Sequence, residues 1–542
     1  MVIGLALSST PAAAQVATGP AWQVTWTSPM DLALGSTYDS TVRDVASVAV
    51  AGRLLELSFS NLWSPSPTTF AAVTVGVAQS GATVVAGSFV PVTFNHGQRF
   101  VTIPPNGRVT SDPVALVVHA NERLSVSIAV SGWANVSVHY CCVGNVDSWA
   151  TSNGAGDHTL DPSATSFNSQ LSGSYIRWLD GVSVAGTPAR GSIVAFGDSI
   201  TDGYGYENNG FSWVNALQQR IDRLPAPDRM SVVNEGIAGN TLTVFPPRTS
   251  YEFSSGGLPG VTRLATDALA WPGVKAVVVL LGTNDIWFGA GGVAGHPIPP
   301  YGTAASIEAG LRSLVTQVHA RGLKVFGITL LPRATSTKAD HDTAEYWGPS
   351  EQAVLSAVNA WMLNGPTGFD GVVNLNAVMA DVYNGDCNPT IPFPPYFNPD
   401  HLHPNVAGET VMANAISTTL FGMPQAPPSP PVVSATPTPG CAAARQAAAI
   451  LAAAVPTTTT TTTTVATTTT TIAPSLPRRL RSLISILLAV LVLAVLALGI
   501  VTRRRIVQRR RRRSRASRDN YPRVPPPAPR ANGGRPPAGP RR

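Results

Sequence analysis

The run Gly197-Asp198-Ser199-Ile200-Thr201-Asp202-Gly203 follows directly on the apolar stretch 192–196. A serine at the carboxyl end of a strand, ahead of a flexible glycine and a helix, can present its Oγ to a cleft. Its own N–H then faces the same carbonyl, an arrangement suited to covalent acyl transfer. Gly-Asp-Ser turns are commonplace, and this one is not the G-x-S-x-G elbow, because Thr201 occupies the second glycine position. Three further clusters sharpen the signal: Asn234-Glu235-Gly236-Ile237-Ala238-Gly239-Asn240, Gly282-Thr283-Asn284-Asp285, and Asp400-His401-Leu402-His403-Pro404. Acyl transfer needs a base for the hydroxyl proton, a carboxylate to fix the imidazole tautomer, and donors aimed at the developing oxyanion. Asp400 and His403 share one loop, and Pro404 suits an early helical position, so one short segment can deliver both side chains.

The order and spacing of these four clusters resemble the sequence blocks of the SGNH (GDSL-type) hydrolase family, named for its Ser, Gly, Asn and His. The resemblance runs through the whole α/β region. It implies Ser199 as nucleophile, His403 as general base and Asp400 as the group that orients it. Ser199, Gly239 and Asn284 become the oxyanion-hole donors, the first two through backbone N–H groups and Asn284 through its amide. The implied activity is hydrolysis of a carboxylic ester through an acyl-enzyme, with no metal and no organic cofactor. The implied partner is a small-molecule, lipid or polysaccharide ester, and acyl transfer to a sugar hydroxyl stays open beside hydrolysis. Two other classes compete. A cell-surface carbohydrate-binding protein with an inert hydrolase scaffold has no physical need for Ser199, Gly239, Asn284 and His403 together, and a protease is not supported by any peptidase motif.

Neighbouring residues have plainer roles open to them. His401 stands two residues from His403, but no third ligand is nearby for a metal, and the spacing from Asp400 favours His403 as the base. Asp198 and Asp285 can cap or hydrogen-bond their loops. Asp202 is close to Ser199 in sequence, yet Asp400 is the preferred triad acid. Trp287, Phe288, Trp347 and Tyr396 suit an acyl or sugar pocket and core packing equally well.

The elements that must position these residues are legible as hydrophobic periods. Apolar runs at 193–196, 277–281, 325–330 and 372–375 predict buried parallel strands. Between them lie helical periods: Val214, Leu217, Ile221 and Leu224; Ile307, Leu311, Leu314 and Val318; Val354, Val358 and Trp361. The expected fold class is therefore α/β over residues 189–422, a three-layer, flavodoxin-like parallel sheet whose strand carboxyl ends carry the four clusters. Upstream, Leu55, Leu57 and Phe59 alternate with Glu56, Ser58 and Ser60, and Leu124, Val126, Ile128 and Val130 repeat the pattern. Half-buried antiparallel strands follow, predicting a β-sandwich of jelly-roll kind over 21–188. That region, with the strand-like 175–184, resembles the N-terminal β-domain of secreted bacterial GDSL-type lipases and esterases. Gripping sugar, gating substrate and plain support are all open to it.

The 542 residues carry a formal charge of +7, but its distribution is uneven. Fifteen Arg of 503–542 face one acid, Asp519, so this tail carries +14; leaving out Arg478, Arg479 and Arg481 as well, the rest carries about −10. A nucleic-acid partner is not expected of a mildly acidic globular region. Residues 483–501 are nineteen uncharged residues, enough for a helix spanning the roughly 30 Å hydrocarbon core. Ten Arg follow it between Arg503 and Arg518, against three just before it, which predicts a cytoplasmic tail 502–542 and an exterior catalytic region. The Pro- and Thr-rich stretch 423–477 reads as a solvated stalk. Residues 1–15, with Ala12, Ala13 and Ala14, resemble a secretory signal without its basic start. Cys141, Cys142, Cys387 and Cys441 show no metal spacing, and one of the adjacent pair could bridge to Cys387 outside the cell.

Overall fold

The computed structural model describes residues 20–140, 146–170, 175–205, 210–243, 256–289, 302–333, 347–381 and 388–432. The expected signal segment, residues 433–477 of the expected stalk, the expected membrane helix 483–501, the Arg-rich tail and all four cysteines lie outside the described residues. The start of the expected stalk is not solvated: Met423 and Ala426 are buried in the α/β core, and Arg220 donates to the Ala426 carbonyl at 3.1 Å. Among the described residues no helix is long and apolar enough to cross a membrane.

Five parallel strands form the central sheet, in the order Ser231–Gly236, Ser192–Gly197, Val274–Leu280, Lys324–Ile328, Gly371–Val373. Val277, Val278, Val279, Ile193 and Phe196 are almost wholly buried, as expected of strands covered on both faces. The order reverses at Ser192–Gly197. Right-handed crossovers then send the connecting helices to opposite faces and open a crevice at the strand carboxyl ends. The helices accordingly fall into two contact groups, Trp213–Ile221 with Val406–Ala415, and Gly260–Asp267, Ala304–His319 and Pro349–Asn364 in series.

Two helical and strand expectations shift in detail. The Pro349–Asn364 helix buries Leu355, Val358, Asn359 and Met362, while Val354 and Trp361 are only half-buried. Asn359 explains the offset: its side chain bonds both the N–H and the carbonyl of Leu330 at 2.8 Å, so a polar residue takes a core position that apolar periodicity cannot mark. The 372–375 run is strand only to Val373. Asn374 then caps a new helix, Leu375–Met379, by accepting the Ala377 N–H.

The N-terminal region is rich in antiparallel strands. One sheet runs Trp22–Thr27, Leu179–Ala185, Leu54–Ser60, Arg108–Thr110, and a larger one is built around Thr41–Ser47, Arg123–Ser131 and Thr68–Ser80. Leu55, Leu57 and Phe59 of the first share a core with Phe70, Val126 and Ile128 of the second. Arg123–Ser131 is not half-buried, because Ser125 and Ser127 are enclosed as fully as Val126. Residues 157–167 cover that face: Arg43 donates to Ser127 Oγ at 2.8 Å and to the Asp161 carbonyl at 2.7 Å, and its guanidinium lies 3.8 Å from the Phe167 ring. The strand-like 175–184 is likewise broken in two. Ile176–Arg177 pairs with Trp133–His139, whereas Leu179–Ala185 joins the other sheet, and buried Trp178 turns the chain between them at φ +58°. That conformation is costly for a bulky residue, and enclosure of the indole against Phe70, centroids 5.6 Å apart, offsets it.

Trp22–Thr27 also binds the α/β domain. Ser192 and Ser231 both donate to the Val24 carbonyl, at 2.7 and 2.6 Å, and Gln23 Nε2 donates to the Gly191 carbonyl at 2.8 Å. Val24 itself belongs to the α/β core.

Candidate active site

At the carboxyl end of Ser192–Gly197 the chain enters the one-turn helix Ser199–Asp202. Asp198 caps it, accepting the Ile200 N–H at 3.1 Å, and burial pushes its carboxyl up to about 6. The helix sits directly on the strand ends. A Cβ at Gly197 would strike the Thr201 side chain and one at Gly236 the Asp202 backbone, so glycine is required at both positions.

Ser199 Oγ lies 2.8 Å from His403 Nε2, and His403 Nδ1 lies 2.7 Å from Asp400 Oδ2. Asp400 Oδ1 accepts the N–H groups of Leu402 and His403, each at 3.0 Å. Burial alone would raise the Asp400 carboxyl, but the bond and charge of His403 together with the two backbone N–H groups hold it below its ordinary value. A carboxylate at Nδ1 demands a proton there. Neutral His403 then offers the Nε2 lone pair to the Ser199 hydroxyl, which donates. Ser199 and His403 are both buried, each keeping 8% of its surface exposed. Asn398 Nδ2 holds the loop by donating to the His403 and Pro404 carbonyls at 3.1 Å, and the Tyr204 ring centroid lies 4.5 Å from that of His403. His401 stands at φ +54° in the turn between Asp400 and His403 and takes no part in the relay.

Gly239 and Asn284 lie at the carboxyl ends of the two neighbouring strands. Gly239 has φ +74°, and its N–H has no hydrogen-bond partner among the described residues. Asn284 Nδ2 donates to the Asn240 carbonyl at 2.9 Å, which uses one of its two amide protons. Asn240 is pinned in turn by Nδ2 bonds to the Gly256 and Leu258 carbonyls and by Arg263 Nε on its Oδ1 at 3.0 Å. Asp285 is a loop clamp, accepting the N–H groups of Leu242 and Thr243 at 2.7 and 3.1 Å, and burial pushes it up to about 6. Trp287, Phe288, Trp347 and Tyr396 all belong to the buried core. Asp202 is bonded to His139, a partner from the N-terminal region that no local sequence signal marks, while Asp400 serves His403. Among the described residues no three His, Cys, Asp or Glu side chains gather as a metal site.

Residues 195–411, the stretch that contains all five of these positions, match the GDSL-like Lipase/Acylhydrolase family. This region is a GDSL-like lipase/acylhydrolase domain. With it, the chain is an ester hydrolase. The hydrolase domain is similar to a lipase/acylhydrolase from Enterococcus faecalis, at 22% identity over 44% of this chain and 98% of that one, with a TM-score of 0.30. It is similar to an acetyl xylan esterase from Geobacillus stearothermophilus, at 20% identity over 45% and 97% of the two chains, TM-score 0.30. A GDSL-like lipase from Bacteroides thetaiotaomicron matches at 19% identity over 41% and 83%, TM-score 0.27. No curated protein matches the chain.

Proposed function

We propose that the hydrolase domain is a serine esterase that cleaves carboxylic esters through an acyl-enzyme, displayed outside the cell on a single membrane helix. The observation that carries the chemistry is the continuous relay from Ser199 through His403 to Asp400, at 2.8 and 2.7 Å. Ser199 Oγ attacks the acyl carbonyl as its proton passes to His403 Nε2. The tetrahedral oxyanion is held by the Ser199 and Gly239 N–H groups and the second amide proton of Asn284. Collapse expels the alcohol, which takes the proton from His403. Water then loses a proton to the same nitrogen and attacks the acyl-serine, and collapse releases the acid as His403 returns that proton to Ser199 Oγ. Asp400 stays ionised throughout and stabilises the imidazolium.

The topology is supported by the uncharged stretch 483–501 and by the Arg excess on its C-terminal side. The substrate lies among acetylated carbohydrate, short-chain acyl and lipid esters. A panel of p-nitrophenyl esters from acetyl to palmitoyl, given to the full chain in detergent, tests the activity and orders these classes. Absence of turnover on every ester, with cleavage of a peptide instead, would overturn the reading.

A further inference from the structure

His139 ends the strand Trp133–His139 of the N-terminal region, and its imidazole and the Asp202 carboxylate are both fully enclosed. Nδ1 lies 2.6 Å from the Pro29 carbonyl oxygen and Nε2 lies 3.1 Å from Asp202 Oδ1. A carbonyl only accepts, so Nδ1 carries a proton. Burial raises the Asp202 carboxyl while the charge and bond of His139 pull it down, and with Asp202 ionised Nε2 donates a second proton and the ring is an imidazolium. Burial pushes the His139 pKa down, but the charge and bond of Asp202, with Asp31 and the Pro29 carbonyl, outweigh it and raise it to about 9. Asp202 is the last residue of the one-turn helix that Ser199 begins. Its second oxygen accepts the Ala238 N–H at 3.2 Å, one residue before Gly239. Asp31 steadies the other side by accepting the N–H of Tyr140 at 2.9 Å.

We propose that His139 is a positioning residue for the oxyanion hole: it orients Asp202, which sets the Ala238 amide and through it the Gly239 N–H beside Ser199. The inference rests on the serine-esterase reading given above. A buried ion pair is a poor source of stability compared with apolar packing of similar volume, because desolvation consumes the attraction. What it supplies is direction, since a charge-assisted bond holds one carboxylate orientation. The N-terminal region thus completes the active site from behind, through His139.

The test compares wild type, Ser199→Ala, His139→Leu, His139→Gln and Asp202→Ala as full chains in detergent on p-nitrophenyl acetate. Reactive serines are counted by stoichiometric fluorophosphonate labelling, so that turnover refers to each labelled Ser199. Loss of a well-placed oxyanion donor costs about 10²- to 10³-fold, so a displaced one in His139→Leu should cost roughly 10- to 100-fold in kcat with KM within about twofold. His139→Gln keeps a donor for Asp202 and should regain most of the loss. Asp202→Ala, which removes the acceptor of the Ala238 N–H, should fall like His139→Leu. A purely structural His139 would behave differently: the melting temperature and labelled fraction would drop, each labelled serine would turn over at the wild-type rate, and Gln would be no better than Leu. That result overturns the proposal. If His139→Leu does not fold, wild-type kcat per labelled serine in Asp202→Ala overturns it equally. An inactive wild type, or an active Ser199→Ala, would instead sink the esterase reading itself.

Discussion

The side chain of Asn284 is bonded to the main chain of Asn240, Nδ2 to carbonyl oxygen, at 2.9 Å. The loops after two different strands of the parallel sheet are therefore joined beside Gly239 before any ester arrives. The second amide proton of Asn284 is consequently aimed by a bond that already exists. Asn284→Ala should lower kcat by about 10² to 10³, or roughly 2.7 to 4 kcal/mol, with little change in KM. Loss of the bond to Asn240 should also cost about 1 kcal/mol of stability. A change confined to melting temperature or KM, with kcat within a few-fold, would remove Asn284 from the oxyanion hole.

Ser199→Ala should abolish ester turnover and leave the melting temperature close to that of wild type, since a small hydroxyl contributes little to the core. A fluorophosphonate should label the wild type at Ser199 and not label the variant. Equal hydrolysis by the two proteins would end the triad assignment.

Asp400→Asn reverses the hydrogen bond at His403 Nδ1, so that Nε2 carries the proton and cannot take one from Ser199. A loss of roughly 10³- to 10⁴-fold in kcat is expected. The stability sign follows from the depressed Asp400 carboxyl. A carboxylate whose folded pKa lies below its unfolded value stabilises the fold above the unfolded pKa, and loses that contribution as pH falls through the folded one. Thermal melts on the acid side of pH 4 should therefore fall more steeply in wild type than in Asp400→Asn.

Glu409 gives the opposite sign. It is fully enclosed, its Oε2 accepts the Trp213 N–H at 2.7 Å, and burial holds its carboxyl well above the ordinary value. Folded protein keeps a proton that unfolded chain releases, so stability falls as pH rises from the unfolded carboxylate range towards the folded pKa. Glu409→Gln keeps the acceptor without the titration. It should raise the melting temperature at pH 8 and change it little at pH 4; an equal effect at both would mean that Glu409 is ionised in the fold.

Protease added to intact cells should release esterase activity by cutting the Thr-rich stretch 457–471 and spare the Arg-rich tail. Activity appearing only after lysis would contradict the exterior placement.

The resemblance of four sequence clusters to the SGNH family pointed to Ser199, Gly239, Asn284, Asp400 and His403, because the order and spacing of such clusters along the chain are visible without coordinates. The α/β alternation was legible for the same reason: apolar periods of strand and helix report burial directly. Tertiary structure decided what depends on partners distant in the chain. Asn359 occupies a core position because Leu330 satisfies its amide, and Ser125 and Ser127 are buried because residues 157–167 fold across them. Trp178 adopts positive φ because its indole is enclosed between two sheets. Asp202 finds its partner in His139, 63 residues upstream, on a strand of another region. Periodicity records how much of a residue is hidden from water; which group satisfies a buried polar atom is fixed only when remote segments meet.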